Sequence, residues 1–123
     1  RRLGALMNRN HAIQRDLGFD RVILIMGVSS DKDMAAMVEE LATISSVVIA
    51  TRSRHPRALD PVLLLGEFSK RGVPGENAGS VASAAERALA LAQPDDLVCA
   101  TGSLFVVAEA REYVKNITGE VYA

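Results

Sequence analysis

The segment around Thr101-Gly102-Ser103 constrains the fold more than any other part of the chain. An apolar run ends at this polar turn, and an amphipathic helical pattern follows at once. The pattern predicts a strand, a turn and a helix in immediate succession. In an open α/β sheet, ligands bind outside the carboxyl ends of parallel strands, where the first N–H groups of the next helix attract negative charge. The sequence therefore predicts a binding turn at Thr101, Gly102 and Ser103.

The same unit recurs earlier in the chain. Residues 21–26 and 46–50 each begin with one polar residue and continue as an unbroken apolar run, which is typical of strands covered on both faces by helices. Polar residues open the helices that follow: Ser30-Asp31-Lys32-Asp33 fits an N-cap with an acidic third position, Asp60-Pro61 fits an N-cap with its first helical residue, and Ser80 fits a third cap. We therefore expect an α/β fold, a doubly wound and mostly parallel sheet with helices on both faces.

The predicted helices follow the strands in regular alternation. They run from the first cap through Leu41, over residues 61–70, from Ser80 to about residue 92, and over residues 104–115. A further helix is predicted over residues 1–17, which would also place His11 on a helix. The glycine-rich residues 72–79 form a loop that can contain a short edge strand, and residues 120–122 fit a final strand.

Composition excludes several classes of function. A chain of 123 residues fits one domain. The net charge of −1 argues against a nucleic-acid surface or an anionic-membrane surface, because both need clustered positive charge. No apolar run approaches the roughly 18 residues of a membrane span, so we expect a soluble protein. The single cysteine, Cys99, lies inside an apolar strand; we expect a buried side chain and a cytoplasmic location.

Three predicted strand ends carry the candidate site residues. The second buried strand is followed by four candidate anion contacts: Arg52, Arg54, His55 and Arg57. For any one of them a solvated charged loop is the simpler explanation, because surface arginine is common. Lys32 either forms a salt bridge within its own turn or reaches an anionic substrate. Because the carboxyl ends of parallel strands meet at one edge, these turns can line a single site with the Thr-Gly-Ser turn.

Common catalytic and nucleotide motifs are absent from the sequence. No glycine follows two positions after Ser103, as a hydrolase elbow requires, and no lysine precedes Ser80, as a nucleotide P-loop requires. The turn at Gly27 lacks the further glycines of a dinucleotide fingerprint. Asp31 and Asp33 fit a helix start, where acidic groups complement the helix dipole. We therefore predict no catalytic residue and no metal ligand in this sequence.

Three motifs in order resemble the C-terminal domain of folylpolyglutamate synthase. They are residues 26–33, the segment 51–61 with Pro56-Arg57-Ala58, and residues 96–111. The same Rossmann-like domain occurs in bifunctional dihydrofolate synthase and, more distantly, in the Mur ligases, and the resemblance covers nearly the whole chain. It implies an ATP-dependent ligase that forms an acyl phosphate on a pteroate or folate, which the amino group of L-glutamate then attacks. Ser103, with Thr101 and Gly102, would hold a glutamate carboxylate, and Lys32 would assist.

The sequence also departs from that family. The Asp-Gly-Ala-His-Asn-Pro segment that should precede the first helix is absent, and the chain opens at Arg1-Arg2 without an initiator methionine. We therefore expect residues 1–123 to be a single glutamate-ligase domain truncated at its N-terminal side. ATP and Mg²⁺ would be bound mainly by an N-terminal ATPase domain, so residues 1–123 alone should turn over no ATP. The alternatives are a Mur-type ligase that adds an amino acid to a UDP-sugar, and a non-catalytic α/β module that binds small anions.

Overall fold

Five strands form one sheet at the centre of the structure, a computed structural model that describes residues 2–6, 20–30 and 32–118. The strands are β1 (Arg2–Leu6), β2 (Val22–Gly27), β3 (Val47–Arg52), β4 (Gly75–Ser80) and β5 (Leu97–Gly102). Their order across the sheet is β1-β5-β2-β3-β4, and every neighbouring pair is parallel. The predicted parallel sheet is confirmed.

Helices cover both faces of this sheet, as a doubly wound fold requires. They are α1 (Met34–Leu41), α2 (Pro61–Lys70), α3 (Val81–Leu91) and α4 (Leu104–Thr118). One core cluster joins α1 and α2 to one face, and a second joins α3 and α4 to the other. Within the described part of the chain, no helix has both the length and the apolar character needed to cross a bilayer.

Strand β2 shows why the buried strands read as unbroken apolar runs. Leu24 and Met26 belong to the core under α1 and α2, whereas Ile23 and Ile25 belong to the core under α3 and α4. Successive side chains of a strand point to opposite faces, so a strand covered on both faces needs apolar residues at every position. Cys99 is buried in the first of these cores, as predicted.

Two of the predicted helix caps are confirmed. The Asp60 carboxylate accepts a hydrogen bond from the Val62 N–H at 3.0 Å, and Pro61 begins α2. The Ser80 hydroxyl accepts one from the Ser83 N–H at 3.1 Å at the start of α3. Each cap satisfies one of the N–H groups that a helix start leaves unpaired.

The predicted cap at Ser30 is wrong. Helix α1 begins later, and Asp33 caps it by accepting a hydrogen bond from the Ala36 N–H at 3.1 Å. The Ser30 N–H instead donates to the carbonyl of Arg57 at 2.8 Å. A contact with another loop therefore displaces the helix start by three residues. The assignment of Asp31 to the helix start lies outside the described residues.

The first predicted element is also wrong where the structure describes it. Arg2–Leu6 is not the beginning of a helix but the edge strand β1, which pairs in parallel with β5. The free edge of β5 offers unpaired backbone groups, and a short apolar run can satisfy them as a strand as well as continue a helix. The remainder of that predicted helix, with His11, and the predicted strand at residues 120–122 lie outside the described residues.

The polar segments on either side of α2 are more regular than the sequence indicates. Thr51 and Arg52, predicted to begin a turn, extend β3. The edge strand expected within residues 72–79 is present as β4, paired with β3. Its sequence has no β-branched residue, so the open edge of β3 and the close fit of Gly75 against Val48 fix it in place.

An ion pair fastens the amino-terminal edge of the sheet. The Arg21 guanidinium donates to the Asp96 carboxylate at 2.7 Å and 3.1 Å, and the Gln93 N–H donates to the same oxygen at 2.9 Å. The Asp96 side chain is 3% exposed. The hydrogen bonds from Arg21, opposed in part by desolvation, hold the pKa of the Asp96 carboxyl below its ordinary value. This pair lies at the end of the sheet opposite the predicted site.

Replacing Arg21 by methionine should lower the free energy of unfolding at pH 7, because the buried Asp96 carboxylate loses its main donors. We expect a loss of about 1–3 kcal/mol in urea unfolding followed by circular dichroism. Because the pKa of Asp96 is lowered in the folded state, the stabilisation is present above the ordinary pKa of about 3.9 and is lost as pH falls through the folded value. The difference in the free energy of unfolding between the wild type and Arg21→Met should therefore shrink below about pH 4.

The matched control is Arg87→Met, which removes an exposed ion pair with Glu76. Exposed pairs contribute little, so this variant should unfold close to the wild-type midpoint. Equal destabilisation by both substitutions would contradict the role given to the Arg21–Asp96 pair.

Candidate functional site

Three strand ends meet at the carboxyl edge of the sheet. Strand β2 lies between β5 and β3, and Gly27 at its end pairs with Gly102 at the end of β5. The turn after each of these strands therefore emerges beside the next. The predicted convergence of the three polar turns on one edge agrees with this topology.

Two glycines let the ends of β2 and β5 approach closely. Gly102 has φ +111°, a backbone conformation that residues with a side chain rarely adopt. A Cβ there would overlap the carbonyl oxygen of Gly27. A Cβ on Gly27 would lie 2.6 Å from the Thr51 carbonyl oxygen and 2.9 Å from the Val106 side chain. Backbone thus occupies the space where side chains would stand, and Ser103 follows this contact directly in the chain.

Ser103 and Thr101 lie on the β5 end but differ in what they bind. The Ser103 hydroxyl accepts a hydrogen bond from the Val106 N–H at 3.2 Å, as the cap of α4. A hydroxyl that accepts one bond retains its proton for donation. Thr101 is 0% exposed, and its hydroxyl has no hydrogen-bond partner among the described residues. Alternation along β5 places Thr101, with Cys99, on the face covered by α1 and α2.

Thr51 is a polar residue of this edge that sequence reasoning missed. It is 1% exposed, and its hydroxyl also lacks a partner within the part of the chain that the structure describes. Alternation along β3 places it with Ile49 on the face covered by α3 and α4, opposite Thr101. A buried hydroxyl without a partner costs about 1–3 kcal/mol. Its position at the end of an apolar strand was the only signal in the sequence.

Backbone hydrogen bonds join the loop after β2 to the loop after β3. The Ser30 N–H donates to the Arg57 carbonyl at 2.8 Å, and the Leu59 N–H donates to the Val28 carbonyl at 2.8 Å. Ser29 and Ala58 form an antiparallel bridge between these two contacts. The exposed Lys32 follows directly in the first loop. The structure therefore brings the loops of Lys32 and Arg57 together.

The Arg54 side chain, in the loop after β3, points toward α4. The Arg54 guanidinium lies 3.5 Å from the Glu109 carboxylate and 3.6 Å from the Glu112 carboxylate. The backbone N–H of Arg54 also donates to Glu109 at 3.0 Å. Arg52 and Arg54 line a cleft of about 220 Å³ between the end of β3, the start of α3, and α4. Two carboxylates thus already occupy Arg54, which weakens its candidacy as a contact for a bound anion.

His55 and Arg57 form a small hydrogen-bonded turn. The Arg57 N–H donates to the Nδ1 of His55 at 3.1 Å, and the His55 N–H donates to the Ser53 hydroxyl at 3.2 Å. His55 is half-buried, whereas the Arg57 side chain is exposed and forms no ion pair with any described residue. Of the four candidate anion contacts, Arg57 is therefore the cation available next to the Lys32 loop.

The described residues do not assemble a metal centre. No group of three or more His, Cys, Asp or Glu side chains among them is placed to hold an ion. Two carboxylates lie next to the carboxyl edge of the sheet, those of Asp33 and Asp60. Both act as helix caps. The fit to Mg²⁺ that the resemblance implies is therefore poor in these residues, and no step through the metal is assigned to them.

Comparison with known families identifies the domain. The model of the Mur ligase, glutamate ligase domain, matches residues 5–104, which include the ends of β2, β3 and β5. The chain belongs to this family. The resemblance drawn from the three motifs is therefore confirmed.

Relatives of this glutamate ligase domain are longer proteins. A probable bifunctional folylpolyglutamate synthase/dihydropteroate synthase of Haloferax volcanii is 41% identical over 97 residues, covering 78% of this chain and 12% of the relative. A UDP-N-acetylmuramoyl-L-alanyl-D-glutamate–2,6-diaminopimelate ligase of Lawsonia intracellularis is 31% identical over 117 residues, covering 92% of this chain and 23% of the relative. The chain thus spans less than a quarter of either relative.

A solved structure of E. coli FolC in complex with DHPP and ADP has the same fold. It superposes with a TM-score of 0.75 at 25% identity, covering 91% of this chain and 28% of that one. The α/β architecture of the glutamate ligase domain is therefore confirmed by an independent comparison.

Replacing Gly102 by alanine should destabilise the domain strongly, because the added Cβ meets the Gly27 carbonyl and the backbone must leave φ +111°. We expect a loss of about 2–4 kcal/mol, from backbone strain and overpacking together, in the free energy of unfolding measured in urea.

Gly66→Ala is the matched control, since nothing lies within 4 Å of a Cβ built at this exposed position inside α2. It should raise stability by up to about 1 kcal/mol, the difference in helix propensity. A Gly102→Ala protein as stable as the wild type would refute the close approach of β2 and β5.

Proposed function

We propose that this chain supplies the amino-acid site of an ATP-dependent ligase, which joins L-glutamate to a folate or pteroate carboxyl group through an acyl phosphate. One observation carries the proposal: the Ser103 turn, the Lys32 loop and the Arg57 loop converge on a single sheet edge in a member of the glutamate ligase family. Glutamate brings two carboxylates, and this edge offers hydroxyl, N–H and cationic donors.

The chemistry of the edge suits a carboxylate. The Ser103 hydroxyl keeps a proton to donate, and the first turn of α4 adds the positive end of a helix dipole. Lys32 and Arg57 are exposed cations on the two joined loops. If both carboxylates of glutamate bind here, its amino group stays free to lose a proton and attack the acyl carbon of the acyl phosphate. The C–O bond to phosphate then breaks, and inorganic phosphate leaves. Thr101 and Gly102 contribute by shaping the turn that presents Ser103.

ATP, Mg²⁺ and an N-terminal ATPase domain belong to the same proposal. The E. coli FolC structure holds ADP, and this chain covers only 28% of that protein. The described residues offer neither a P-loop sequence nor a metal cluster of their own. We therefore assign nucleotide binding to a domain that this chain would meet in the whole enzyme, and the cytoplasm as its compartment. Residues 1–123 alone should release no ADP.

A folate or pteroate is favoured over a UDP-sugar as the acceptor substrate. The Haloferax relative, whose name joins folylpolyglutamate synthase to dihydropteroate synthase, is 41% identical, whereas the Lawsonia diaminopimelate ligase is 31% identical. The second relative covers more of the chain, so a UDP-sugar acceptor is the alternative. The remaining alternative is not an enzyme but a non-catalytic α/β module that binds small anions.

Ser103 variants test the glutamate site in the enzyme that carries this chain. Ser103→Asp keeps a good helix cap but places a negative charge against the substrate carboxylate. It should raise the KM for glutamate by about 10-fold to 100-fold, the range for a lost charge-assisted hydrogen bond, in an ADP-release assay. Ser103→Thr keeps both the cap and the hydroxyl and should stay near wild type. Equal behaviour of the two variants would exclude Ser103 from the site.

The acceptor is tested by the same assay with three substrates at saturating ATP and glutamate. We expect ADP release with dihydropteroate or tetrahydrofolate, and none with a UDP-N-acetylmuramoyl peptide. Glutamate-dependent release with the UDP-sugar alone would transfer the protein to the Mur branch. Release with none of the three would favour the non-catalytic anion-binding module.

A further inference from the structure

The central amides of the loop after β3, within residues 54–59, all have hydrogen-bond acceptors. Between residues 54 and 59 only Pro56 lacks an N–H, and the other five donate at 2.8–3.2 Å. Backbone groups held by protein acceptors resist local opening, so this loop is fixed before any ligand arrives. Arg57, the cation available beside the Lys32 loop, is carried on it.

Two of those acceptors are ionisable side chains. The Nδ1 of His55 accepts from the Arg57 N–H, and the Oε2 of Glu109 accepts from the Arg54 N–H at 3.0 Å. An imidazole that accepts at Nδ1 carries its proton on Nε2 when it is neutral. Glu109 also faces the Arg54 guanidinium at 3.5 Å, so α4 holds the first half of the loop.

Backbone acceptors hold the other half of the loop. The Ala58 N–H donates to the His55 carbonyl at 3.1 Å, and Leu59 donates across to Val28 in the loop after β2. Residue 57 is therefore fixed on both sides: its N–H by His55 and its carbonyl by Ser30. The backbone of Arg57 has little freedom to move when the guanidinium engages a ligand.

We propose that His55 and Glu109 are positioning residues, which hold the loop so that Arg57 meets a carboxylate of the incoming amino acid. This inference rests on the proposed function, because it assigns Arg57 to the amino-acid site. His55 then acts through its hydrogen bond to the Arg57 N–H and not as an anion contact. Preorganisation of this kind lowers the entropy lost on binding, so its loss should appear in the KM for the amino acid.

The test compares side chains that keep or remove the acceptor at residue 55. His55→Ala removes it and should raise the KM for glutamate about twofold to tenfold, as for one lost neutral hydrogen bond, with kcat and the KM for ATP within twofold of wild type. His55→Asn offers an oxygen to the same N–H two residues on and should restore the wild-type KM. His55→Leu replaces the alanine variant if that protein does not fold.

Glu109 provides a second and independent comparison. Glu109→Leu removes the acceptor for the Arg54 N–H, whereas Glu109→Gln keeps an oxygen there. Only the leucine variant should raise the KM for glutamate. The control is Glu112→Gln, whose 62% exposed side chain contacts only the outer end of Arg54. This control should leave the KM unchanged.

Hydrogen exchange of the Arg57 amide measures the hydrogen bond from the Arg57 N–H to His55 without any substrate. In this chain the amide should be protected in the wild type and in His55→Asn, and exchange faster in His55→Ala. Equal KM values in wild type and His55→Ala, or equal impairment of the alanine and asparagine variants, would overturn the proposal. A wild-type enzyme with no glutamate-dependent ADP release would instead overturn the proposed function, while leaving the exchange data to decide the role of His55 in the loop.

Discussion

The close approach of two backbones, at Gly27 and Gly102, is the constraint on which the carboxyl edge of the sheet depends. Because no side chain separates the ends of β2 and β5, the turn that carries Ser103 emerges directly beside the loop that carries Lys32. The parallel sheet then places β3 on the other side of β2, so the loop of Arg57 completes the edge. A larger side chain at either glycine would separate the donors that a carboxylate needs together.

The two ends of the sheet are built for different tasks. At the amino-terminal end, the Asp96 carboxylate is satisfied by Arg21 and by a backbone N–H, and it supports the fold. At the carboxyl end, the Thr51 and Thr101 hydroxyls are buried without partners among the described residues. Unsatisfied groups cost stability and persist where a site needs them. The two hydroxyls lie on opposite faces of the sheet, Thr101 under α1 and α2 and Thr51 under α3 and α4.

The loop after β3 shows how a charged segment acquires a defined shape. Four cationic or ionisable side chains between residues 52 and 57 gave a choice between an anion site and a solvated surface. The structure divides them. Arg52 is exposed and lines the cleft beside α4, and Arg54 pairs with carboxylates of α4. The Nδ1 of His55 accepts a hydrogen bond from a backbone N–H, and Arg57 stays exposed. The roles differ because Arg54 meets carboxylates from a distant part of the chain, whereas His55 bonds within its own turn.

Local patterns in the sequence determined the parallel α/β architecture, the caps at Asp60 and Ser80, and the polar turns at the strand ends, because unbroken apolar runs and capping residues report on short-range structure. Only the tertiary structure decided that Arg2–Leu6 is an edge strand, that Asp33 replaces Ser30 as a cap, and that Glu109 fixes the loop after β3. Each of these depends on a partner distant in sequence: the free edge of β5, the carbonyl of Arg57 and the N–H of Arg54. Such pairings leave no mark in the local pattern.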